Sequence, residues 1–250
     1  MLRIVKAGSG LDTIDLEACE RRGITVSRTG GSETSVAELT LALMLACLRE
    51  ISRLDQSVRA RNFAAKTGAI GGTLDGRTVG IVGFGAIGAK VAKLLAGFGA
   101  HILVFDRSIH QTDKRTILTA LGATPNFDLD TLLKKAQVLT LHVPLTPATR
   151  GLIDERRLSL LPSNAILVNT ARAALVDRLA LEEALVQKRL TAAGLDVHFE
   201  EDGVTNSRLL DLPNVISTPH VGAQTYEAQE AVAGRIVSLI ADTRNRLELA

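Results

Sequence analysis

From Arg77 onward the sequence alternates short apolar segments with longer amphipathic ones. The apolar segments predict strands over residues 78–82, 101–105, 138–143, 165–169, 192–197 and 215–217. The segments between them predict helices over residues 86–98, 128–135, 155–160, 178–188 and about 225–246. Because strands that are apolar throughout and alternate with helices form a parallel sheet covered on both faces, we predict a doubly wound α/β fold here.

The first third of the chain predicts a smaller β-α-β arrangement followed by one long helix. Strands are expected over residues 2–5 and 24–26, with a helix over 14–21 between them. A long helix is expected over 35–52, and its wide apolar face indicates deep burial or a contact with a second copy. The small, basic, glycine-containing stretch 60–76 predicts a loop.

A glycine-rich turn joins the strand 78–82 to the helix that follows it. Gly83, Gly85 and Gly88 carry the spacing G-x-G-x-x-G, and Asp106 ends the next strand. In this context the first glycine permits the turn, the second admits a pyrophosphate and the third lets the helix pack closely. Asp106 would accept hydrogen bonds from the adenosine ribose and repel a 2′-phosphate, so NAD is favoured over NADP, although Arg107 weakens that preference slightly.

The glycine turn has two other interpretations. The first is a tight turn between strand and helix with no ligand, since glycine-rich turns are common. The second is a P-loop, which fails because Ala89 stands where the lysine should follow Gly88.

Composition restricts the partners and the compartment that we expect for this chain. Lysine plus arginine exceeds aspartate plus glutamate by 29 − 27 = 2, and aromatic residues make up only 3%. We therefore expect no nucleic-acid partner. The longest strongly apolar run, 39–48, is too short to span a bilayer, so no membrane partner is expected. Cys19 and Cys47 exclude a disulfide scaffold and a cysteine metal site, and we expect a reducing, cytoplasmic compartment.

Polar side chains that could carry chemistry follow the carboxyl ends of the predicted strands, where open parallel sheets bind ligands. His142, His198 and His220 follow or end strands, whereas His101 begins one and His110 lies in a polar loop. Each of the three could be structural or could exchange protons with a substrate. Arg172 could be a solvated loop charge or a clamp for a substrate carboxylate. The acidic run 200–202 could be solvated or could orient a histidine.

These residues stand within a set of motifs that resembles the D-isomer-specific 2-hydroxyacid dehydrogenase family, in its phosphoglycerate dehydrogenase-like branch. The matching segments are residues 6–18, 36–45, the glycine turn, 142–146, 149–153, 166–172, 194–197 and 219–222, in the order that the family shows.

The resemblance implies an oxidoreductase that transfers a hydride between NAD and a small-molecule D-2-hydroxy or 2-oxo acid. It implies that Arg172 binds the substrate carboxylate and carbonyl, that His220 is the general acid–base, and that Glu201 orients His220. Asp196 would lie near the nicotinamide amide. The cofactor-binding residues implied or expected are Gly83, Phe84, Gly85, Ala86, Ile87, Gly88, Asp106, His142, Val143, Pro144, Thr149, Thr170, Ala171, Asp196 and Gly222.

For the architecture, the resemblance implies an NAD-binding Rossmann domain over residues 34–223. A smaller, incomplete flavodoxin-like substrate domain would comprise residues 1–33 and 224–250, because family members carry several dozen more residues before the equivalent of Leu2. The apolar helix 35–52 makes a homodimer the expected assembly.

Three positions depart from the family pattern. Ala173 replaces the glycine usual after the catalytic arginine, His198 replaces a phenylalanine, and Asp202 replaces a proline, so Glu200 stays open as the alternative to Glu201. Two alternatives therefore stand beside the enzyme: an NAD(H)-binding sensor without catalysis, as the family's corepressors are, and an inactive shortened member. The choice of acid among 3-phosphoglycerate, glyoxylate, hydroxypyruvate and lactate stays open.

Overall fold

The computed structural model of the chain describes residues 2–8, 10–199 and 207–248, with side chains as far as Asp242 in the last helix. The chain divides into two compact units. The smaller comprises Met1–Val36 with Gly222–Ala250, and the larger comprises Ala37–Val221. The boundary falls within helix α2, Glu33–Leu48.

The larger unit is built on a parallel sheet, in which the described residues form seven strands in the order β5-β4-β3-β6-β7-β8-β9. From β3 the chain runs outward to β4 and β5, and then returns to place β6 on the other side of β3. The crevice beyond the carboxyl ends of β3 and β6 is thus a topological switch point, where such folds bind ligands. The strands are β3 Thr78–Val82, β4 His101–Phe105, β5 Thr124–Asn126, β6 Val138–Leu141, β7 Ile166–Asn169, β8 Ala192–Leu195 and β9 Val215–Ser217.

Helices cover both faces of this sheet, and two apolar clusters form the core. Aspartates begin three of the helices, because Asp128, Asp154 and Asp177 each accept a hydrogen bond from a backbone N–H of the first turn. The helices are α3 Ile51–Arg59, α4 Ala86–Ala96, α5 Thr112–Ala120, α6 Leu129–Leu133, α7 Glu155–Leu158 and α8 Arg178–Val186, with 3-10 turns at Phe63–Lys66, Ala173–Leu175 and Leu209–Asp211.

The smaller unit pairs β1, Arg3–Lys6, in parallel with β2, Thr25–Arg28. Helix α1, Leu16–Arg21, connects the two strands, and α9, Tyr226–Glu248, is the last element of the chain. Within the unit, the Arg235 guanidinium donates to the Thr29 carbonyl at 2.7 Å. The Arg3 guanidinium on β1 donates to the Leu239 carbonyl at 3.1 Å, and the two hydrogen bonds anchor α9 to the short sheet.

The doubly wound α/β fold predicted from the sequence is confirmed, and β3, β4 and β9 have the predicted bounds. The prediction of one long helix over 35–52 is wrong at the carboxyl end of that helix. It stops at Leu48, because Glu50 adopts a left-handed conformation with φ of 51°, and α3 then begins at Ile51. The predicted loop 60–76 contains the 3-10 turn Phe63–Lys66.

The apolar face of α2 has a simpler explanation than a contact with a second copy. In the larger unit, Leu43, Met44, Cys47 and Leu48 are buried in the chain's own core. The hydrophobicity of this helix is therefore accounted for within one chain.

Candidate nucleotide and substrate site

The glycine turn after β3 has the shape that its spacing predicts. Gly83 has φ of 99°, a conformation that other residues rarely adopt. A Cβ atom on Gly88 would lie 2.1 Å from the Gly83 carbonyl oxygen, so only glycine lets α4 pack this closely on the turn. A Cβ on Gly85 would meet no atom within 4 Å, because it would project into open space.

This open space fits a pyrophosphate. Helix α4 begins directly after Gly85, which offers no side chain to cap the first turn, so the first backbone N–H groups of the helix are open to a ligand. These groups and the helix dipole favour an anion at that point. The residues of the turn therefore fit the phosphates of a dinucleotide. Of the predicted neighbours, Phe84 is buried, Ala86 is exposed and Ile87 is half-buried in the first turn of α4.

Asp106 lies beside the glycine turn at the end of β4. Its Oδ2 accepts a hydrogen bond from the Phe84 amide at 2.8 Å. Its Oδ1 accepts from the Ser108 amide at 2.9 Å, the Ser108 hydroxyl at 2.8 Å and Lys114 Nζ at 2.7 Å. Burial would raise the pKa of Asp106, but the hydrogen bonds from Lys114, Phe84 and Ser108 outweigh it and hold the pKa at about 2.

The segment after β6 forms the next part of the crevice. A Cβ on Gly83 would lie 2.6 Å from the His142 carbonyl oxygen, so the two segments are in close contact. The His142 Nε2 lies 3.0 Å from the Thr140 hydroxyl, and burial lowers the pKa of His142 to about 3. Thr149 fixes the following turn by donating to the Pro144 carbonyl at 2.7 Å. Val143 is half-buried and packs against the core.

Arg172 stands in the loop after β7, and Asn169 shapes that loop. The buried Asn169 amide donates to the Arg172 carbonyl at 2.8 Å and accepts from the Ala171 amide at 3.0 Å. Thr170 is buried, and its hydroxyl lies 2.8 Å from that of Thr40 on α2. The Arg172 side chain is half-buried and donates to the Ala171 carbonyl at 2.7 Å.

His220 stands in the loop after β9 and adopts a left-handed backbone with φ of 55°. For a residue other than glycine this conformation is strained, and such strain persists only where surrounding contacts hold it. Asp196, which is 1% exposed, supplies those contacts. One Asp196 oxygen accepts from the Thr218 hydroxyl at 2.6 Å and from the Val221 amide at 2.9 Å, on either side of His220.

His198 adds a contact that the sequence analysis did not assign. Its Nε2 lies 2.8 Å from the Thr218 carbonyl oxygen, so this histidine also braces the His220 loop. Asn169 and Lys114 are two further residues that the sequence analysis did not single out. Asn169 lies within the matching segment 166–172 and Lys114 lies outside all the matching segments, and only the folded loops reveal what these two side chains contact.

The structure brings the predicted Arg172 and His220 to one edge of the sheet. The strands before them, β7 and β9, both pair with β8, so their ends lie two inter-strand spacings apart, roughly 10 Å. The candidate Glu201, like its neighbour Glu200, lies outside the described residues. Gly222 falls in the smaller unit.

Two further observations concern the described part of the chain. None of its helices is both long enough and apolar enough to cross a membrane. Its His, Cys, Asp and Glu side chains form no group of three or more that could hold a metal ion.

Comparison with known proteins places this site in a family. The model of the D-isomer specific 2-hydroxyacid dehydrogenase NAD-binding domain matches residues 41–222. Hydroxypyruvate reductase of Thermotoga maritima is 42% identical over 241 residues, which are 95% of this chain and 76% of that protein. D-3-phosphoglycerate dehydrogenase of Methanocaldococcus jannaschii is 43% identical over 236 residues, which are 94% of this chain but only 44% of that protein.

The fold of the chain also matches solved structures. The D-lactate dehydrogenase of Aquifex aeolicus, complexed with NAD and lactic acid, matches with a TM-score of 0.88 and 32% identity, over 99% of this chain and 78% of that one. An acyclic imino acid reductase in complex with NADPH and D-Arg matches with a TM-score of 0.88 and 27% identity, over 98% and 76%. The chain therefore belongs to the D-isomer specific 2-hydroxyacid dehydrogenase family, a family of oxidoreductases, and residues 41–222 match its NAD-binding domain.

Proposed function

We propose that this chain transfers a hydride between NAD and the C2 atom of a D-2-hydroxy or 2-oxo acid. The observation that carries the proposal is the common location of three segments. The glycine turn that fits a pyrophosphate and the loops of Arg172 and His220 all follow carboxyl ends of one parallel sheet. Relatives named hydroxypyruvate reductase, glyoxylate reductase and D-3-phosphoglycerate dehydrogenase support this class of substrate.

In this proposal Arg172 and His220 divide the work on the substrate. The bound nicotinamide supplies or accepts the hydride. The Arg172 guanidinium binds the substrate carboxylate, because its planar fork matches two carboxylate oxygens, and it polarises the adjacent C–O bond. His220 takes the hydroxyl proton during oxidation and returns a proton to the same oxygen during reduction. Glu201 orients the imidazole and stabilises the imidazolium.

Asp196 and Asn169 are positioning residues in this scheme. Each holds the backbone of a loop that carries a reacting side chain, Asp196 around His220 and Asn169 around Arg172. Such placement matters because a displacement of about 1 Å at a reacting group can lower a rate by roughly two orders of magnitude.

The experiment is consumption of NADH by the purified chain with a panel of 2-oxo acids, followed by absorbance. We expect turnover with at least one acid, and we expect His220→Asn and Arg172→Gln to abolish it while NADH binding persists. A matched control is His101→Asn, which changes an exposed histidine at the amino end of β4, at the opposite edge of the sheet. Full turnover by His220→Asn would remove the acid–base assignment, and NADH binding without turnover by the wild type would favour a sensor.

We also propose a homodimer in the cytoplasm. With α2 buried in its own core, one apolar surface that a second copy could cover lies around α3. Ile51, Val58, Phe63 and Ile70 are 54%, 52%, 63% and 89% exposed. Exposed side chains of this kind on one segment favour a protein contact. Both cysteines are free thiols, which accords with a reducing compartment.

A further inference from the structure

We propose that Lys114 sets the cofactor preference of this chain, by occupying Asp106 so that NADPH is accepted nearly as well as NADH. An aspartate at this position would ordinarily bind both ribose hydroxyls and repel a 2′-phosphate. The inference rests on the NAD-binding domain alone, and it does not require the proposed reaction.

The hydrogen-bond acceptors of Asp106 are nearly all occupied. A carboxylate oxygen offers about two lone pairs. Oδ1 of Asp106 already accepts from three donors, namely the Ser108 amide, the Ser108 hydroxyl and Lys114 Nζ. Oδ2 accepts from the Phe84 amide and has room for one more donor. Asp106 can therefore serve one of the two ribose hydroxyls while Lys114 stays in place.

The charge of Lys114 offsets the charge of Asp106. The Lys114 ammonium lies 2.7 Å from Asp106 Oδ1, and their side chains are only 19% and 16% exposed. Solvent and salt screen such a pair less than they screen an exposed pair. Lys114 therefore cancels most of the field that would exclude a 2′-phosphate, and the adjacent, exposed Arg107 adds a second cation. An ammonium is also an ordinary partner for a phosphate group.

Lys114 is held in place by two partners and by its helix. Its Nζ also donates to the Ser108 hydroxyl at 2.8 Å, so two partners fix the ammonium between Asp106 and Ser108. Helix α5 begins at Thr112, two residues before Lys114, so the stem of the side chain starts from a regular element. Replacing Lys114 therefore removes a positioned cation from the Asp106 carboxylate.

The test is direct binding of NADH and of NADPH, measured by calorimetry on the full chain. We expect the wild type to prefer NADH by less than tenfold in Kd, and Lys114→Met to increase that preference at least tenfold. The matched control is Arg115→Met, which removes an exposed cation one position along the same helix and should leave the preference unchanged.

A second variant guards against misfolding of Lys114→Met. Ser108→Ala removes one donor from Oδ1 and one anchor of Lys114, and it should also shift the preference towards NADH. A wild-type preference for NADH above tenfold, or a smaller than tenfold increase in folded Lys114→Met, overturns the proposal. Because binding is measured without a 2-oxo acid, absence of turnover would contradict the proposed function and leave this result unaffected.

Discussion

Gly85→Ala should separate folding from cofactor binding. Gly85 has φ of −85° and ψ of −162°, and a Cβ there meets no atom within 4 Å, so the folded chain can accept alanine. Lower entropy of the unfolded chain stabilises the variant by about 0.4–1 kcal/mol, and loss of a favourable helix N-cap costs a similar amount. The free energy of unfolding should therefore stay within about 1 kcal/mol of the wild type.

In Gly85→Ala the free energy of NADH binding should weaken by much more than the free energy of unfolding changes. The new methyl group would occupy the space in front of the first N–H groups of α4, where a pyrophosphate would bind. Loss of two hydrogen bonds to a charged group costs at least about 3 kcal/mol, which is roughly a hundredfold in Kd. Urea unfolding gives the first quantity, and calorimetric titration with NADH gives the second.

Gly88→Ala is the contrasting variant. Its Cβ would lie 2.1 Å from the Gly83 carbonyl oxygen, so α4 must move away from the turn, and the free energy of unfolding should fall by at least about 2 kcal/mol. If Gly85→Ala bound NADH as the wild type does, the assignment of this turn to the pyrophosphate would be refuted. If the two variants lost stability equally, the close packing assigned to Gly88 would be refuted.

Three other measurements probe separate parts of the account. Asp106→Ala should weaken NADH binding more than NADPH binding, and an unchanged ratio of the two Kd values would count against the ribose contact. Because the pKa of His142 is about 3 in the folded chain and about 6.5 when unfolded, stability is fully present above pH 6.5 and falls as the pH decreases. Between pH 6.5 and 5 the free energy of unfolding, measured with urea at each pH, should fall by about 1–2 kcal/mol. For His142→Asn it should depend less on pH, and an equal dependence on pH in the two proteins would show that the fold does not hold His142 neutral. Phe63→Glu should shift the chain from dimer to monomer in light scattering, whereas a dimer unaffected by this change would place the interface elsewhere.

The sequence predicts the sheet well because its central strands are apolar throughout and its glycine spacing is specific. Two elements at the β5 edge of the sheet were not predicted from the sequence. Strand β5 is only Thr124–Asn126, and Pro125 weakens its strand pattern even though proline is tolerated at a sheet edge. Helix α5 buries only Leu118, so it lacks the apolar stripe that marks a helix.

The candidate site, like the fold, can be predicted from the sequence only in part. Arg172 and His220 could be proposed because each follows a strand and belongs to a motif. The contacts that brace their loops could not be predicted, because Asn169 and His198 bind backbone groups that only the fold brings near. Lys114 illustrates the same limit, since Asp106 alone predicts a preference for NAD whereas its hydrogen bonds change what the carboxylate can accept.

The central claim is direct hydride transfer to the C2 atom of a 2-oxo acid, and isotope transfer tests it most directly. The purified chain would be incubated with a 2-oxo acid and NADH deuterated at both C4 positions, and the product would be analysed by mass spectrometry and chiral chromatography. The account predicts a D-2-hydroxy acid that carries one deuterium at C2, and it predicts no product with Arg172→Gln. A product without deuterium, or an L-2-hydroxy acid, would contradict it.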